Sequence, residues 1–397
     1  MASVVLDQRS RVSALGLRKA PRHRFFGVCI ASLFVAVTVL GPVACQGSVL
    51  VGEKTLAETT QGGESGIAEP SQEATHDASE SVPDERMQEA VVSEEITPTE
   101  YLEPSPEQTT ERKADCVGKP SPPTDRLWRV SHDGVERSFR VFVPPSYASH
   151  RSMPVVLNFH GVANDAWTQV LLSGMESKAE EVGFIAVHPE GRALPSTSWN
   201  AGTCCQPAAS SGVDDVGFVR ALLDRLEEQL CVDPRRIYAT GISNGGMLAY
   251  RLACEVSDRI AAIAPVAASM VHLPCKPPRP VPVMIFHGTL DSIVPYAGNP
   301  LLGYPSLSAN VDHWVAHNGC RDPKVRGFSQ GDASCDAYPT CRDDAHVEFC
   351  TILGGGHTWP GGLPVPQLGY TSLSLRATDA MWDFFSKHPM PSRPPTP

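Results

Sequence analysis

Ile237-Tyr-Ala-Thr-Gly241-Ile-Ser243-Asn-Gly245-Gly246-Met-Leu-Ala-Tyr-Arg-Leu252 decides the fold. Its first residues are β-branched, aromatic and small, as in a buried strand, and its last are a helix-forming run. Between them stands G-x-S-x-G. A sharp strand-to-helix turn leaves no room for side chains at its flanks, which explains Gly241 and Gly245, and it lifts the hydroxyl of Ser243 above the sheet edge. The amides at the start of the following helix point to the same place. An ordinary glycine turn would give the same five letters, so the strand before and the helix after carry the reading.

A serine hydroxyl is a poor nucleophile without a base, and the base needs a carboxylate to orient it. Both residue types occur later in the chain after strand-like runs. Val281-Pro-Val-Met-Ile-Phe-His-Gly-Thr-Leu-Asp291 ends in a loop bearing Asp291, and Phe349-Cys-Thr-Ile-Leu-Gly354-Gly-Gly-His357 ends in glycines that free the backbone before His357. Asp291 alone would read equally well as a turn former, and His357 as a loop histidine. The oxyanion of such a reaction needs two backbone N–H donors. Asn244 supplies one by position, and Val162, after the strand Pro154-Val-Val-Leu-Asn-Phe-His160-Gly161, supplies the other. His160 and His287 share a strand-end His-Gly pattern and are expected to be hydrogen-bonded structural residues, not bases.

Around these stretches the sequence alternates. Strand-like runs at Phe139 to Val143, Pro154 to His160, Phe184 to His188, Ile237 to Thr240, Ala261 to Val266, Val281 to His287 and Val347 to Leu353 are separated by helical ones. The helices are expected at Trp167 to Val182, Asp215 to Gln229, Gly246 to Cys254, Asn310 to His317 and Thr378 to Lys387. Near-continuous apolar strands alternating with helices predict an α/β domain with a mostly parallel sheet covered on both faces. The order Ser, Asp, His is that of the α/β-hydrolase fold, which is the expected fold class.

Charge divides the chain. Residues 1–30 carry a net +5 and residues 46–115 a net −13, so the total of −11 leaves −3 for residues 116–397. A nearly neutral domain without a Lys/Arg cluster speaks against nucleic-acid binding. Residues 1–45 read as an export signal, basic and then uncharged from Phe25 to Val43. Leu40-Gly-Pro-Val-Ala-Cys45 resembles a lipoprotein cleavage box, which would make Cys45 a lipidated first residue. A thiol beside an ordinary cleavage site and an uncleaved anchor are the alternatives, and all three export the rest. Residues 46–115 are a Glu/Thr/Ser/Pro-rich segment expected to be a disordered acidic linker of roughly 45 Å end to end. Residues 116–387 are the expected catalytic domain and 388–397 a Pro-rich tail.

Ten cysteines fall in that domain: Cys116, Cys204, Cys205, Cys231, Cys254, Cys275, Cys320, Cys335, Cys341 and Cys350. An even number in an exported domain predicts five disulfides. Spacing does not fix the pairing. Cys254 with Cys275 is the best local pair, whereas adjacent Cys204 and Cys205 are expected to reach elsewhere, with Cys231 and Cys116 as candidate partners. Zinc knuckles are missing from the pattern, so no metal and no cofactor is expected.

Phe159-His-Gly, His188-Pro-Glu-Gly, Trp199-Asn-Ala-Gly-Thr-Cys-Cys, Val213-Asp-Asp-Val-Gly-Phe, Val232-Asp-Pro-Arg-Arg-Ile-Tyr, Gly241-Ile-Ser-Asn-Gly-Gly-Met, Phe286-His-Gly-Thr-Leu-Asp and Gly354-Gly-Gly-His-Thr-Trp-Pro-Gly together resemble the exported polyhydroxybutyrate-depolymerase-like esterases, kin of feruloyl and acetylxylan esterases. The resemblance covers about residues 125–387. It implies a serine ester hydrolase with Ser243 as nucleophile, Asp291 as orienter and His357 as base, and it suggests Trp199 and Trp359 as walls of the substrate cleft. Asp214 and Asp215 read better as the cap of the next helix than as catalytic acids. After the last helix stands the Pro-rich tail, where many polymer-degrading members append a granule-binding module. The expected substrates are therefore small or oligomeric hydroxyalkanoate esters, or acyl groups on polysaccharide, turned over by a monomer whose only membrane contact is a lipid or an N-terminal anchor. A serine peptidase on the same fold and a tethered binding protein with an inactive site are the rival readings.

Overall fold

A computed structural model describes residues 114–122, 126–193, 196–272 and 274–392. The expectations for the export signal, Cys45, the acidic linker up to residue 113 and the end of the tail lie outside the described residues. In chain order the elements are β1 (Leu127–His132), β2 (Val135–Phe142), β3 (Met153–Phe159), α1 (Ala166–Ser173), α2 (Met175–Val182), β4 (Ile185–Pro189), β5 (Arg192–Ala193), β6 (Thr197–Ser198), α3 (Asp215–Gln229) and β7 (Val232–Ile242). Then come α4 (Asn244–Glu255), β8 (Ala262–Val266), β9 (Val283–Gly288), α5 (Leu307–Asn318), β10 (Val325–Gln330), β11 (Ala333–Tyr338), β12 (Val347–Ile352) and α6 (Ala377–Lys387).

Ten strands form one sheet in the order β1-β2-β4-β3-β7-β8-β9-β12-β11-β10. The six strands from β4 to β12 in that order run parallel, and an antiparallel pair extends each edge. Parallel strands need cover on both faces, and the residues alternate accordingly. Val155, Leu157, Ile237 and Ala239 face one apolar cluster with Phe218 and Leu222 of α3, Met247 of α4 and Trp314 of α5. Val156, Ala186 and Tyr238 face the other, with Met175 of α2 and Phe384 and Phe385 of α6. This is the α/β architecture expected from the sequence.

Three local readings need correction. The single helix expected over Trp167 to Val182 is two, because Gly174 takes a left-handed conformation (φ 63°, ψ 21°) and donates its N–H to Val170, ending α1. A glycine at that point is a C-cap signal that the apolar periodicity masked. Strands β1, β5, β6, β10 and β11 were not expected. β10 is exposed along almost its whole length, so burial imposes no alternation on it, and its place is set by pairing with β11. Finally, Cys204 and Cys205 are joined to each other across a cis peptide with Cα atoms 3.1 Å apart, instead of reaching elsewhere. The expectation assumed the trans spacing of about 3.8 Å and side chains pointing apart. Cys116 bridges Cys231, Cys254 bridges Cys275 as expected, and Cys320–Cys341 and Cys335–Cys350 complete five disulfides.

Buried imidazoles give this fold an acid limit. Burial pushes His160 and His388 down to about 4 and His188 down to about 3. In the unfolded chain each takes up a proton near pH 6.5, while in the folded state it stays neutral to much lower pH. The unfolded state therefore binds more protons below pH 6.5, and stability falls as pH drops from there toward 4, by about 1.4 kcal/mol per pH unit for each group. Melting temperature should fall steadily from pH 7 to pH 4.5. His388→Gln keeps a donor for the Phe384 carbonyl, which His388 Nδ1 contacts at 2.7 Å, and should remove one proton from the slope. A melting temperature flat across that range would contradict this account. Among the described residues no helix is long and apolar enough to cross a membrane.

Candidate active site

Parallel strands end at one edge of the sheet, and the residues singled out in the sequence hang from that edge. Ser243 follows β7 directly and caps α4 with φ 58° and ψ −126°. A non-glycine residue held there costs on the order of 1–3 kcal/mol and persists only where its surroundings enforce it. Steric crowding supplies the enforcement. A Cβ on Gly241 would stand 2.6 Å from the Phe159 carbonyl, and one on Gly245 would stand 2.5 Å from the His160 carbonyl. The G-x-S-x-G glycines are thus needed because the ends of β3, β7 and α4 press together. Ser243 is partly exposed.

Asp291 sits after β9 and His357 after β12, and the two loops are laced together. Thr289 donates its amide to Ile352, Leu290 donates to Gly355, and Gly354 donates to the Thr289 hydroxyl. Gly288 and Gly355 touch backbone to backbone, so neither position has room for a Cβ. Asp291 is 4% exposed and His357 5%. His357 Nδ1 lies 2.8 Å from Asp291 Oδ2, while Asp291 Oδ1 accepts the amides of Ile293 and Val294 at 2.9 Å each. Every oxygen of the carboxylate therefore has work, and the imidazole ring is fixed by the one that faces it.

His160 and His287 are placed as structural residues. His160 Nδ1 donates to the Gly161 carbonyl at 2.7 Å, and its Nε2 accepts the Gly191 amide at 2.9 Å, which fixes the neutral tautomer that burial favours. His287 Nε2 donates to the Val294 carbonyl at 2.7 Å, and burial lowers its pKa.

Gly161, the residue before Val162, runs beside Ser243: a Cβ built on Gly161 would meet the Ser243 Cβ at 3.4 Å. Asn244 opens α4, so its amide is one of those a helix N-terminus leaves without an intrahelical partner. Its side chain is fully buried. Asn244 Oδ1 accepts the Trp199 amide at 2.7 Å and Asn244 Nδ2 donates to the Trp199 carbonyl at 3.0 Å.

The two tryptophans are corrections. Trp199 is 0% exposed and Trp359 1%, so neither offers a face to a ligand. Trp359 Nε1 donates to Thr378 of α6, and Trp199 Nε1 donates to the His160 carbonyl. Trp199 packs against Phe159 and His160 at the end of β3, and Trp359 lies in the cluster that holds Phe384 and Phe385 of α6, so each ring fills the core beside the site.

Asp214 does cap α3, accepting the Gly217 amide at 2.8 Å, but Asp215 does something else. It is fully buried, pairs with Arg137 at 2.8 Å and accepts the Asn200 amide at 2.7 Å, and burial pushes its carboxyl up, with Arg137 opposing. The signal was present: Asp215, Val219, Leu222 and Leu226 lie at helical spacing on one buried face, so the second aspartate was bound to point inward.

This arrangement, with a serine at a strained strand-to-helix turn and an aspartate–histidine pair on later strand-end loops, is that of the α/β-hydrolase fold. No family model matches the chain. Among proteins of known name it is 33% identical over 235 residues to feruloyl esterase B of Piromyces equi, spanning 56% of this chain and 42% of that one. It is 29% identical over 320 residues to a protein of Nocardia uniformis subsp. tsuyamanensis named "Putative esterase NocK", spanning 74% and 88%. It is 31% identical over 259 residues to the bifunctional acetylxylan esterase/xylanase XynS20E of Neocallimastix patriciarum, spanning 64% and 34%. The chain thus spans less than half the length of the first and third. Of solved structures, acetyl xylan esterase from Aspergillus awamori aligns with a TM-score of 0.43 at 15% identity, over 66% of this chain and 98% of that one. The chain has the α/β-hydrolase fold and is similar to proteins named as esterases.

Proposed function

We propose that this chain hydrolyses carboxylic esters through an acyl-enzyme formed on Ser243. The observation that carries the reading is the 2.8 Å contact of Asp291 with His357 on the sheet edge where Ser243 occupies its strained turn. Asp291 holds the ring with Nδ1 as donor, which leaves Nε2 to take the Ser243 proton as Oγ adds to the ester carbonyl. The negative oxygen that develops is received by the amides of Val162 and Asn244. The proton then passes from His357 to the departing alkoxide, and water, activated by the same base, releases the acid and restores Ser243.

The names of the relatives favour feruloyl or acetyl groups on polysaccharide as substrates. Short hydroxyalkanoate esters remain within the same reading. Five disulfides support work in an oxidising compartment, reached through residues 1–45 as an export signal with lipid on Cys45 and residues 46–115 as tether.

A panel of short-chain nitrophenyl esters, methyl ferulate, acetylated xylan and hydroxybutyrate oligomers tests the proposal. At least one ester should turn over at a kcat/KM far above that of its matched amide. Amide cleavage at a comparable rate, or no turnover of any ester by folded protein, would overturn it.

A further inference from the structure

We infer that Trp199 is the positioning residue that sets the spacing of the two oxyanion donors. The inference rests on the catalytic reading above and goes beyond it. Val162 and Asn244 lie on different strand ends, and two donors on separate loops stabilise an oxyanion only if the distance between them is held to a few tenths of an ångström. Trp199 holds Asn244 directly and, through His160, the strand end that leads to Val162. Its backbone N–H and C=O take the two ends of the Asn244 carboxamide at 2.7 and 3.0 Å, which locks the first residue of α4. Its indole N–H is donated to the His160 carbonyl at 2.9 Å, two residues before Val162. The ring packs edge-on to Phe159 at 5.3 Å and beside the His160 ring at 5.0 Å.

The loop beyond Val162 is held by the same segment. Ala163 donates its amide to the Thr197 carbonyl at 2.9 Å, and the Thr197 hydroxyl donates to the Asn164 carbonyl at 2.5 Å. Val162 is therefore gripped on both sides from residues 197–199. The brace has its own footing: Asn200 donates its amide to Asp215, which Arg137 pairs from the other side at 2.8 Å. Arg137 in turn lies over the Phe218 ring at 4.0 Å. Trp199, which has no exposed surface, and its neighbour Asn200 thus connect α4, β3 and α3 at the point where the chemistry needs two loops in register.

Trp199→Phe keeps a ring in the core and deletes the N–H to His160. Asn244→Ala keeps the Asn244 amide and deletes the grip on Trp199. Both variants should lower kcat by about 10- to 100-fold with KM nearly unchanged, because the donors matter more in the transition state than in the ground state. The affinity of a trifluoromethyl ketone, whose adduct places a negative oxygen between the same donors, should weaken in parallel with kcat. A role in stability alone would lower the melting temperature and move neither. Folded variants with kcat and inhibitor affinity within threefold of wild type overturn the inference, as does failure of both variants to fold, which would make the contacts purely structural. Ser243→Ala measured alongside separates the two claims: an active Ser243→Ala protein sinks the catalytic reading itself, whereas an inactive one with a fully active Trp199→Phe sinks only the brace.

Discussion

Ser243→Ala is expected to lower ester turnover by about 10⁴-fold or more, some 5.5 kcal/mol of transition-state stabilisation, with the fold intact. The backbone of residue 243 stands at φ 58°, and its conformation is imposed by the crowding of Gly241 and Gly245 against the end of β3. Alanine pays the same conformational cost as serine there, so the strain is no reason for the variant to unfold. What disappears is Oγ alone. The rate that survives comes from substrate binding and the oxyanion donors, without an acyl-enzyme. Steady-state kinetics with a nitrophenyl ester, a melting curve and labelling by a fluorophosphonate probe decide the point on one preparation. Labelling should vanish, and the melting curve should not move. A variant that keeps a tenth of the wild-type rate would show that Ser243 is not the nucleophile.

The parallel core was legible because β3, β4, β8, β9 and the second half of β7 are buried on both faces and read as continuous apolar runs, while β12, which keeps Glu348, Phe349 and Thr351 half-buried, was still announced by its β-rich composition. The edges were not. β10 carries Arg326, Gly327 and Gln330 and only half-buries Phe328, so its strand character comes from the hairpin it forms with β11, Gln330 pairing with Ala333, and not from a buried face of its own. The same distinction runs through the site. Ser243, Asp291 and His357 were singled out because the chemistry demands those residue types after strands, and the Asp291–His357 contact is present. Trp199 and Trp359 were misplaced because an aromatic beside a catalytic loop can face a ligand or fill the space beneath the loop, and residue type is the same in both cases. Burial chooses, and burial is a property of the packed sheet. The Cys204–Cys205 bridge was hidden for a related reason: the peptide between the two residues departs from the trans geometry that a sequence reading assumes.

Asp291→Asn separates orientation from mere proximity, because asparagine preserves the shape of the site and reverses one of its hydrogen bonds. In the wild type, Oδ1 accepts the Ile293 and Val294 amides while Oδ2 faces His357 Nδ1 at 2.8 Å. Two backbone donors hold the carbonyl oxygen of an asparagine in the Oδ1 place, so its NH₂ is forced to face the imidazole. A donor opposite Nδ1 requires Nδ1 to be the unprotonated nitrogen, which moves the ring proton to Nε2. That is the nitrogen that must be free to accept from Ser243, and in this tautomer it is not. Turnover near neutral pH should therefore fall by about 10⁴-fold while the loop, still capped by Ile293 and Val294, stays folded. Raising the pH supplies hydroxide as an external base, and part of the lost activity should return between pH 8 and 10. Asp291→Ala differs in kind: it removes the acceptor for two buried amides along with the orienting group, so its activity loss should come with a lower melting temperature. An Asp291→Asn protein with wild-type kcat/KM at pH 7 would show that Asp291 does not orient His357, and the base would have to be sought elsewhere on the sheet edge.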